Sequence, residues 1–167
     1  MHDIRHDPVR DEMIVPNPFA AAILVFRGGA NGQEAPVRVI QGPRTQLSSP
    51  ERLDIHPTRR EVFVPSAGGI LVFNVDDSGD VAPRRVIKGG RTRIKNPTGV
   101  TVDPMNNELW VASMGNYTAA VFPITANGDV APIRQIRGGP LNGEALMIGN
   151  PGAVGYDSKR QEILVPN

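Results

Sequence analysis

The sequence predicts an all-β protein, and three observations lead to this prediction. Glycine and proline account for 18 and 16 of the 167 residues, which is too many chain breakers for a helical protein. No window shows sustained helical periodicity without a glycine or a proline. The apolar runs are four to six residues long and rich in valine and isoleucine, which is typical of short strands that are buried on both faces.

Internal repeats give these strands an order along the chain. The clearest marker is a glutamate followed by three apolar residues, which recurs at spacings of 49, 47 and 54 residues at 12–16, 61–65, 108–112 and 162–166. An apolar run ending in phenylalanine recurs at 23–26, 70–73 and 119–122, and a segment from glycine to Ala-Pro recurs at 32–36, 79–83 and 128–132. Self-similarity of this period indicates a repeat architecture.

The third unit shows how one repeat divides into four strands. Strand a covers residues 97–103, strand b 108–113, strand c 119–124 and strand d 131–137. Asp103-Pro104 favours a turn after strand a, because aspartate bonds the local backbone and proline fixes φ. Asn127-Gly128 supplies the positive φ that a hairpin between strands c and d needs. Pro132 is tolerated at the start of strand d if that strand lies at the sheet edge.

Four antiparallel strands in a unit of about 45 residues predict a β-propeller blade. The blades fall at approximately 1–49, 50–96 and 97–150, with a partial blade of strands a and b at 151–167, all in one propeller domain. The chain thus holds three and a half blades, and we expect a second chain to complete a six-bladed ring, because lone end blades expose apolar sheet faces. A seven-bladed ring and a fragment of a longer gene product are the alternatives.

The partial blade provides a contact for the expected homodimer. Residues 155–167 resemble residues 3–17, so the C-terminal pair of strands can replace the N-terminal pair in the partner's first blade. Burial of apolar side chains would hold the exchanged strands in place. The residues expected at this closure are Ile163, Leu164 and Val165 of the C-terminal pair and Ile14 and Val15 of the N-terminal pair.

The third unit contains Pro97-Thr-Gly-Val-Thr-Val-Asp103, Glu108-Leu-Trp-Val-Ala112, Gly115-Asn116 and Val121-Phe122, in that order. These segments resemble an NHL repeat in order and spacing, and the other units match more loosely. The chain has Ser113 where the family places aspartate after strand b, and Tyr117 where it usually has histidine. The resemblance implies a propeller, usually six-bladed, that binds proteins or RNA, with lactonases and lyases among relatives of similar architecture.

Four polar residues occupy equivalent positions after strand a, namely Asp7, His56, Asp103 and Asp157. One interpretation is a ring of metal ligands or acid–base groups on one face. The favoured interpretation is that each is a turn residue bonding its own backbone, because the a strands carry apolar residues where a metal site would need inward carboxylates. The acidic segment 76–80 aligns with two ordinary hairpins and lacks the distal glutamate of a calcium loop. We therefore expect no catalytic group, metal or cofactor site.

Positive charge is concentrated in one stretch although the net charge of the chain is only +1. A stripe of basic residues along the rim is a candidate site for RNA or another polyanion. Charge on an edge strand also prevents unwanted strand pairing, and no aromatic residue interleaves the stretch for base stacking, so nucleic acid is the less favoured partner. The residues of this candidate stripe are Arg38, Arg84, Arg85, Lys88, Arg91, Arg93, Lys95 and Arg134.

The favoured function is a non-enzymatic propeller scaffold, assembled as a homodimer, that binds a macromolecule or ligand on a ring face. The alternatives are a lactonase- or lyase-like enzyme with a central-channel site and polyanion binding through the basic stripe. The loop 140–148 is expanded relative to the second unit, and loop variation on a repeat scaffold often carries recognition.

The absence of cysteine excludes disulfides and a cysteine nucleophile. No apolar stretch is long enough to predict a membrane span, and these features do not indicate a cellular compartment.

Overall fold

The computed structural model describes residues 3–66, 68–137 and 151–165. These residues confirm the all-β prediction, because they form three four-stranded antiparallel sheets followed by one two-stranded sheet. Their helices are three-residue 3₁₀ turns at Pro43–Thr45, Gly90–Thr92 and Met114–Asn116. Across the described ranges no helix is long or apolar enough to cross a membrane.

The strands are β1 (Arg5–Asp7), β2 (Glu12–Asn17), β3 (Ala22–Arg27), β4 (Arg38–Gln41), β5 (Asp54–His56), β6 (Glu61–Ser66), β7 (Gly69–Asn74), β8 (Arg85–Ile87), β9 (Pro97–Asp103), β10 (Glu108–Ser113), β11 (Thr118–Pro123), β12 (Arg134–Ile136), β13 (Gly155–Asp157) and β14 (Glu162–Leu164).

Every strand pairs with its sequence neighbour, so each sheet is a meander that forms one propeller blade. The first strands β1, β5, β9 and β13 contact one another in succession and form the inner edge of the blade stack. The fourth strands β4, β8 and β12 form the outer edge. This arrangement confirms the predicted blade architecture and the predicted order of strands.

The outer strands are shorter than the sequence predicted. In the third blade the predicted strand 131–137 reduces to Arg134–Ile136. Pro132 has no N–H to donate to a ladder, and pairing begins only where the Ile133 N–H donates to Val121 O at 2.7 Å. The longest inner strand, β9, runs from Pro97 to Asp103 as predicted.

The core lies between successive blades, because side chains alternate between the two faces of each sheet. Ile14, Ile23 and Val25 of the first blade pack against Val62 and Phe73 of the second. Phe63 and Val72 on the opposite face of the second blade join Leu109 and Phe122 of the third in another buried cluster. Each full interface therefore combines one face from each of two blades.

A hairpin from each following blade bonds to the outer strand of the preceding blade, a contact we call the inter-blade bridge. Gly79 pairs in parallel with Ile40, through Gly79 N–H to Val39 O at 2.7 Å and Gln41 N–H to Gly79 O at 3.2 Å. Gly128 pairs with Ile87 in the same way in the next interface. These bridges join the blades by backbone as well as by apolar packing.

A carboxylate next to each hairpin glycine strengthens the inter-blade bridge. Asp80 accepts the Arg44 N–H, and Asp129 accepts the Arg91 N–H, both at 2.7 Å. Gly89 stands against Asp129 with φ of 140°, a region open essentially to glycine, and a Cβ there would overlap the carboxylate. The glycine after the outer strand is therefore required by the close approach of the next blade.

The expected closure residues occupy the two ends of the blade stack. Ile14 is buried between the first two blades, and Val15 is also buried. Ile163 and Val165 are partly buried against the third blade, in a cluster that includes Trp110. Leu164 points the other way and is 58% exposed.

Candidate binding face

The turns of the propeller are divided between two faces. The lower face carries the turns between the first and second strands and between the third and fourth strands of each blade. The upper face carries the turns between the second and third strands, together with the connections that lead from one blade into the next. Loops at one face of a repeat scaffold commonly carry recognition, so each face is a candidate binding surface.

The polar residues of the lower face act within their turns. Asp103 accepts the Met105 and Asn106 N–H groups at 3.0 and 3.1 Å. Asp157 accepts the Lys159 and Arg160 N–H groups at 2.9 and 3.1 Å. The structure thus gives these aspartates the turn role that the sequence favoured.

The first two blades modify this pattern. Asp7 is fully buried, accepts the Val9 N–H at 3.0 Å and forms an ion pair with Arg60. His56 is buried, and its Nδ1 lies 3.4 Å from the Arg59 N. Burial, aided by the nearby Arg59 charge, lowers the pKa of His56. Over the described residues no group of three or more acidic or histidine side chains is placed to hold a metal ion.

The upper face contains a polar cavity of about 420 Å³ between the second and third blades. Two inter-blade connections and two turns supply its walls. Pro97 and Thr98 begin the inner strand β9, so the cavity opens close to the inner edge of the stack. The lining residues are Ser48, Ser49, Glu51, Arg52, Pro65, Ser66, Gly68, Asn96, Pro97, Thr98 and Met114.

Hydrogen bonds fix the walls of this upper cavity. The Ser48 N–H donates to Ser66 Oγ at 2.8 Å, which ties the first connection to the end of β6. The Met114 N–H donates to Asn96 O at 3.1 Å, which ties the second connection to the next turn. Ser49 and Asn96 both adopt the left-handed conformation, with φ of 47° and 50°. The cavity is therefore built from positioned backbone and not from loose loops.

The chemistry of the upper cavity suits binding. Glu51 and Arg52 place opposite charges on one wall, and the exposed Ser49 and Asn96 provide a hydroxyl and an amide group. The hydroxyl of Ser66, which would be a candidate nucleophile, bonds only to backbone groups in the described structure, with no histidine among the lining residues. On the same face the Phe19 side chain is almost fully exposed in the turn between β2 and β3.

The arginines of the outer strands form ion pairs within their own blades. Arg38 makes two hydrogen bonds to the carboxylate of Glu12, at 2.9 and 2.5 Å. Arg134 makes the same pair with Glu108, at 2.8 and 2.6 Å. Proximity to these carboxylates raises the pKa of both arginines. In the second blade Arg85 lies 2.8 Å from Glu61.

These pairs change the interpretation of the basic stripe. Arg38, Arg85 and Arg134 each contact the glutamate that begins strand b of their blade, so a polyanion would have to compete with a carboxylate held in place. Arg84 is exposed and lies 3.5 Å from Asp77. The structure therefore does not bring all eight predicted residues together as one open surface.

The remaining basic residues follow β8 along the upper outer rim. Lys88, Arg91, Arg93 and Lys95 are all exposed. Arg93 and Lys95 line a second cavity of about 540 Å³, together with Arg137, which is not one of the eight predicted residues. Of the predicted stripe, the structure therefore places Arg93 and Lys95 together at one cavity.

Sequence reasoning missed one residue that connects three blades. Asp54 in the inner strand β5 accepts Arg5 Nε of the first blade at 2.8 Å. It also accepts the Val102 N–H at 2.7 Å and the Thr101 hydroxyl at 3.2 Å from the third blade. The first and third blades have Arg5 and Thr101 at the equivalent position, so no repeated residue type marked it. The expanded loop 140–148 lies outside the described residues.

No protein-family model and no curated protein sequence matches the chain. The fold is similar to that of solved structures, including the hydrazine synthase of Kuenenia stuttgartiensis, with a TM-score of 0.69 and 13% identity over 97% of this chain and 40% of that one. A nidogen/laminin complex matches with a TM-score of 0.69 and 16% identity over 98% of this chain and 55% of that one. A putative 6-phosphogluconolactonase from Bacteroides uniformis matches with a TM-score of 0.66 and 15% identity over 98% and 46%. The chain spans roughly half the length of these structures, and they share with it the β-propeller fold.

Proposed function

We propose that the protein is a non-enzymatic β-propeller scaffold, assembled from two copies, that binds an extended peptide segment of another protein in the upper cavity. The observation that carries the proposal is the cavity itself, because its polar walls are fixed by backbone hydrogen bonds. A peptide presents alternating N–H and C=O groups, which the exposed hydroxyl and amide groups of the cavity can pair.

The charges of the upper cavity support a peptide as the ligand. Glu51 and Arg52 stand side by side, so the wall offers one partner for a basic residue and one for an acidic residue. Elsewhere on the same face, the exposed Phe19 in the first blade offers an apolar contact. The similar structures include both a protein complex and a lactonase-like protein, so fold alone does not separate binding from catalysis.

Selection from a random peptide display library tests this proposal. We expect the full-length protein to enrich a set of related peptides, and the Arg52→Glu variant to bind those peptides at least about tenfold more weakly, since a reversed charge repels the acidic side chain. Lys159→Glu makes the same reversal on the lower face and should bind like the unaltered protein. Failure to enrich any peptide, or equal loss in both variants, would contradict the proposal.

The enzymatic alternative calls for separate measurements. If the protein were a metal-dependent lactonase, it would hydrolyse lactones and lose that activity in EDTA. We expect no lactone hydrolysis above the uncatalysed rate, with or without added divalent ions, and no change of melting temperature in EDTA. Hydrolysis that depends on added metal would replace the binding proposal with the enzymatic one.

Polyanion binding is a second candidate, favoured by the exposed Arg93 and Lys95 that line the second cavity, of about 540 Å³. Affinity for single-stranded RNA would then fall steeply with salt, and Lys95→Glu would weaken it. About six to ten phosphate contacts would change the affinity for RNA ~10³–10⁵-fold between about 50 and 200 mM salt. If no RNA binding is measurable over this range of salt, polyanion binding is excluded.

A further inference from the structure

The first and last blades leave complementary surfaces uncovered. The tail surface consists of Arg134 and Ile136 in β12, the outer half of the third-blade face that a following blade would cover. The head surface consists of Phe26 and the hairpin 31–33, the outer half of the first-blade face that a preceding blade would cover. The two complete interfaces within the chain show, position by position, what each surface normally contacts.

Ile136, in the outer strand β12, shows that the tail surface lacks a cover that the equivalent positions have. Ile40 and Ile87 are 1% and 0% exposed, because the following blade packs over each of them. The equivalent Ile136 is 43% exposed.

The outer-strand arginine gives an independent sign of the same missing contact. The side chain of Arg85 is 15% exposed, and its Nη1 donates to Ile124 O and Ala126 O of the following blade, both at 2.9 Å. Arg38 is 17% exposed and donates to Val75 O of the following blade at 3.4 Å. Arg134 keeps its in-blade glutamate but is 53% exposed.

The head surface lacks the matching cover. Phe73 and Phe122 are buried against the blade that precedes each of them, whereas the equivalent Phe26 is partly exposed. Phe26, Met13 and Ile4 line a cavity of about 260 Å³. An apolar concavity of this kind is the counterpart of the exposed isoleucine on the tail surface.

The hairpin 31–33 also lacks the strand that its equivalents contact. Gly79 and Gly128 each form an inter-blade bridge to an outer strand, and Gly32 occupies their position in the first blade with φ of 61°. At the other end of the stack, in the described residues, no hairpin forms an inter-blade bridge to the outer strand β12. One chain therefore carries both halves of a contact that it completes twice internally.

The sequence at the two ends matches in a further detail. In the internal bridges, Asp129 and Asp80 accept N–H groups from the segment after the outer strand, including the Arg44 N–H. The hairpin of the first blade has Gln33 in place of the aspartate, and the third unit has Pro140 at the position of Arg44. Proline has no N–H, so Pro140 cannot donate the hydrogen bond that Arg44 and Arg91 donate to these carboxylates.

We propose that the tail surface binds the head surface of a second copy of this chain, with Gly32 of the second copy paired in parallel with Ile136. In this register Arg134 donates to the carbonyls of Gly28 and Ala30 of the second copy, which occupy the positions of Ile124 and Ala126. The inference rests on the two-copy assembly in the proposed function and specifies its contact. In the blade that joins the two copies, the inner strands are either β1 and β2 of the second copy or β13 and β14 of the first copy. The contact at the outer strand is the same in both cases.

Solution mass measurements on full-length variants test the contact. Ile136→Asp places a charge at its centre while altering a side chain that is exposed in the single chain. Ile133→Asp is the matched control, because Ile133 is 54% exposed and its equivalent Val37, inside an uninterrupted stack, is also exposed. Light scattering over a range of concentrations should give the mass of two 18.0 kDa chains for the unaltered protein and for the control. The Ile136→Asp variant should give the mass of one.

A mixing experiment tests the head-to-tail geometry. Gly32→Pro disables the head hairpin, since proline cannot adopt the positive φ or donate the bridge N–H. This variant and Ile136→Asp should each be monomeric alone and associate when mixed, because one intact head then meets one intact tail. A monomeric unaltered protein would overturn the proposal, as would an assembly larger than two copies or one that Ile136→Asp does not dissociate. Peptide binding in the upper cavity should persist in Ile136→Asp, which separates this result from failure of the proposed function.

Discussion

His56 shows how one substitution in a repeated turn changes the response of the protein to pH. It takes the position that Asp7, Asp103 and Asp157 fill in the other blades, and it is buried beside Arg59, Glu61 and Asp54. Burial lowers the pKa of His56 below its ordinary value of 6.5, so the unfolded chain takes up a proton at a higher pH than the folded chain does.

We predict that the free energy of unfolding decreases as the pH falls from 7 through about 6.5, where an unfolded histidine titrates. The free energy of unfolding should stop decreasing once the pH falls below the pKa of His56 in the folded protein. His56→Asn, which keeps a polar turn residue, should flatten this part of the profile. Urea unfolding of both proteins at several pH values measures the difference, and an identical slope in the two proteins would show that His56 is not responsible.

At the scale of elements, the Glu–Arg pairs join the second strand of each blade to its outer strand across the sheet. The pair of Glu12 and Arg38 lies between two blades, with side-chain exposures of 11% and 17%. The pair of Arg27 and Glu34, at the hairpin after β3, has the same chemistry but side-chain exposures of 59% and 31%. The cost of breaking an ion pair depends on how far the remaining charge is removed from water.

We predict that Arg38→Met destabilises the protein by roughly 3 kcal/mol, because it leaves Glu12 without its cation in a largely dry interface. Arg27→Met in a chain kept monomeric by Ile136→Asp should cause a much smaller loss, since solvent reaches the carboxylate of Glu34. Chemical denaturation of the variants, each against its own parent, gives both values. Equal losses at the two positions would mean that burial between blades does not set the strength of the pair.

The same pairs illustrate what the sequence can and cannot predict. The boundaries of the fourteen strands in the described residues follow from turn chemistry such as Asp103-Pro104 and Asn127-Gly128, because those dipeptides act locally. Arg134 was recognised as a repeated residue, and Glu108 as another, but their partnership depends on the pairing of β10 with β11 and of β11 with β12. Each full unit contains both the glutamate and the arginine, and this joint recurrence is the feature of the sequence that could have indicated the ion pair. The upper cavity left no such signal, since it is assembled from connections of different sequence.

At the scale of the whole molecule, the C-terminal strands cover one face of the third blade. Trp110, Ala112 and Val121 are buried in the cluster to which Ile163 and Val165 contribute. Burial of each large apolar side chain contributes about 1.5–3 kcal/mol, so removing the cover exposes a substantial apolar surface.

We predict that deletion of residues 155–167 yields a monomer or an aggregate in place of a soluble two-copy assembly. Leu164→Asp is the comparison variant, because Leu164 is 58% exposed and its replacement should leave the fold of the single chain intact while preventing association. Light scattering and thermal unfolding distinguish loss of association from loss of folding. A truncated protein that stays dimeric, soluble and equally stable would show that the C-terminal pair has no part in assembly.

Pairing of every strand with its sequence neighbour also has a consequence for how the protein is made. Hairpins between adjacent strands close short loops, so the contact order of each blade is low and its folding requires no distant segment of chain. The first blade can form while the second is still being synthesised, and its exposed face then provides the surface on which β5 to β8 assemble. Synthesis from the N-terminus would therefore build the stack in spatial order, and each newly made blade would remain exposed to other nascent chains only until the next one covers it.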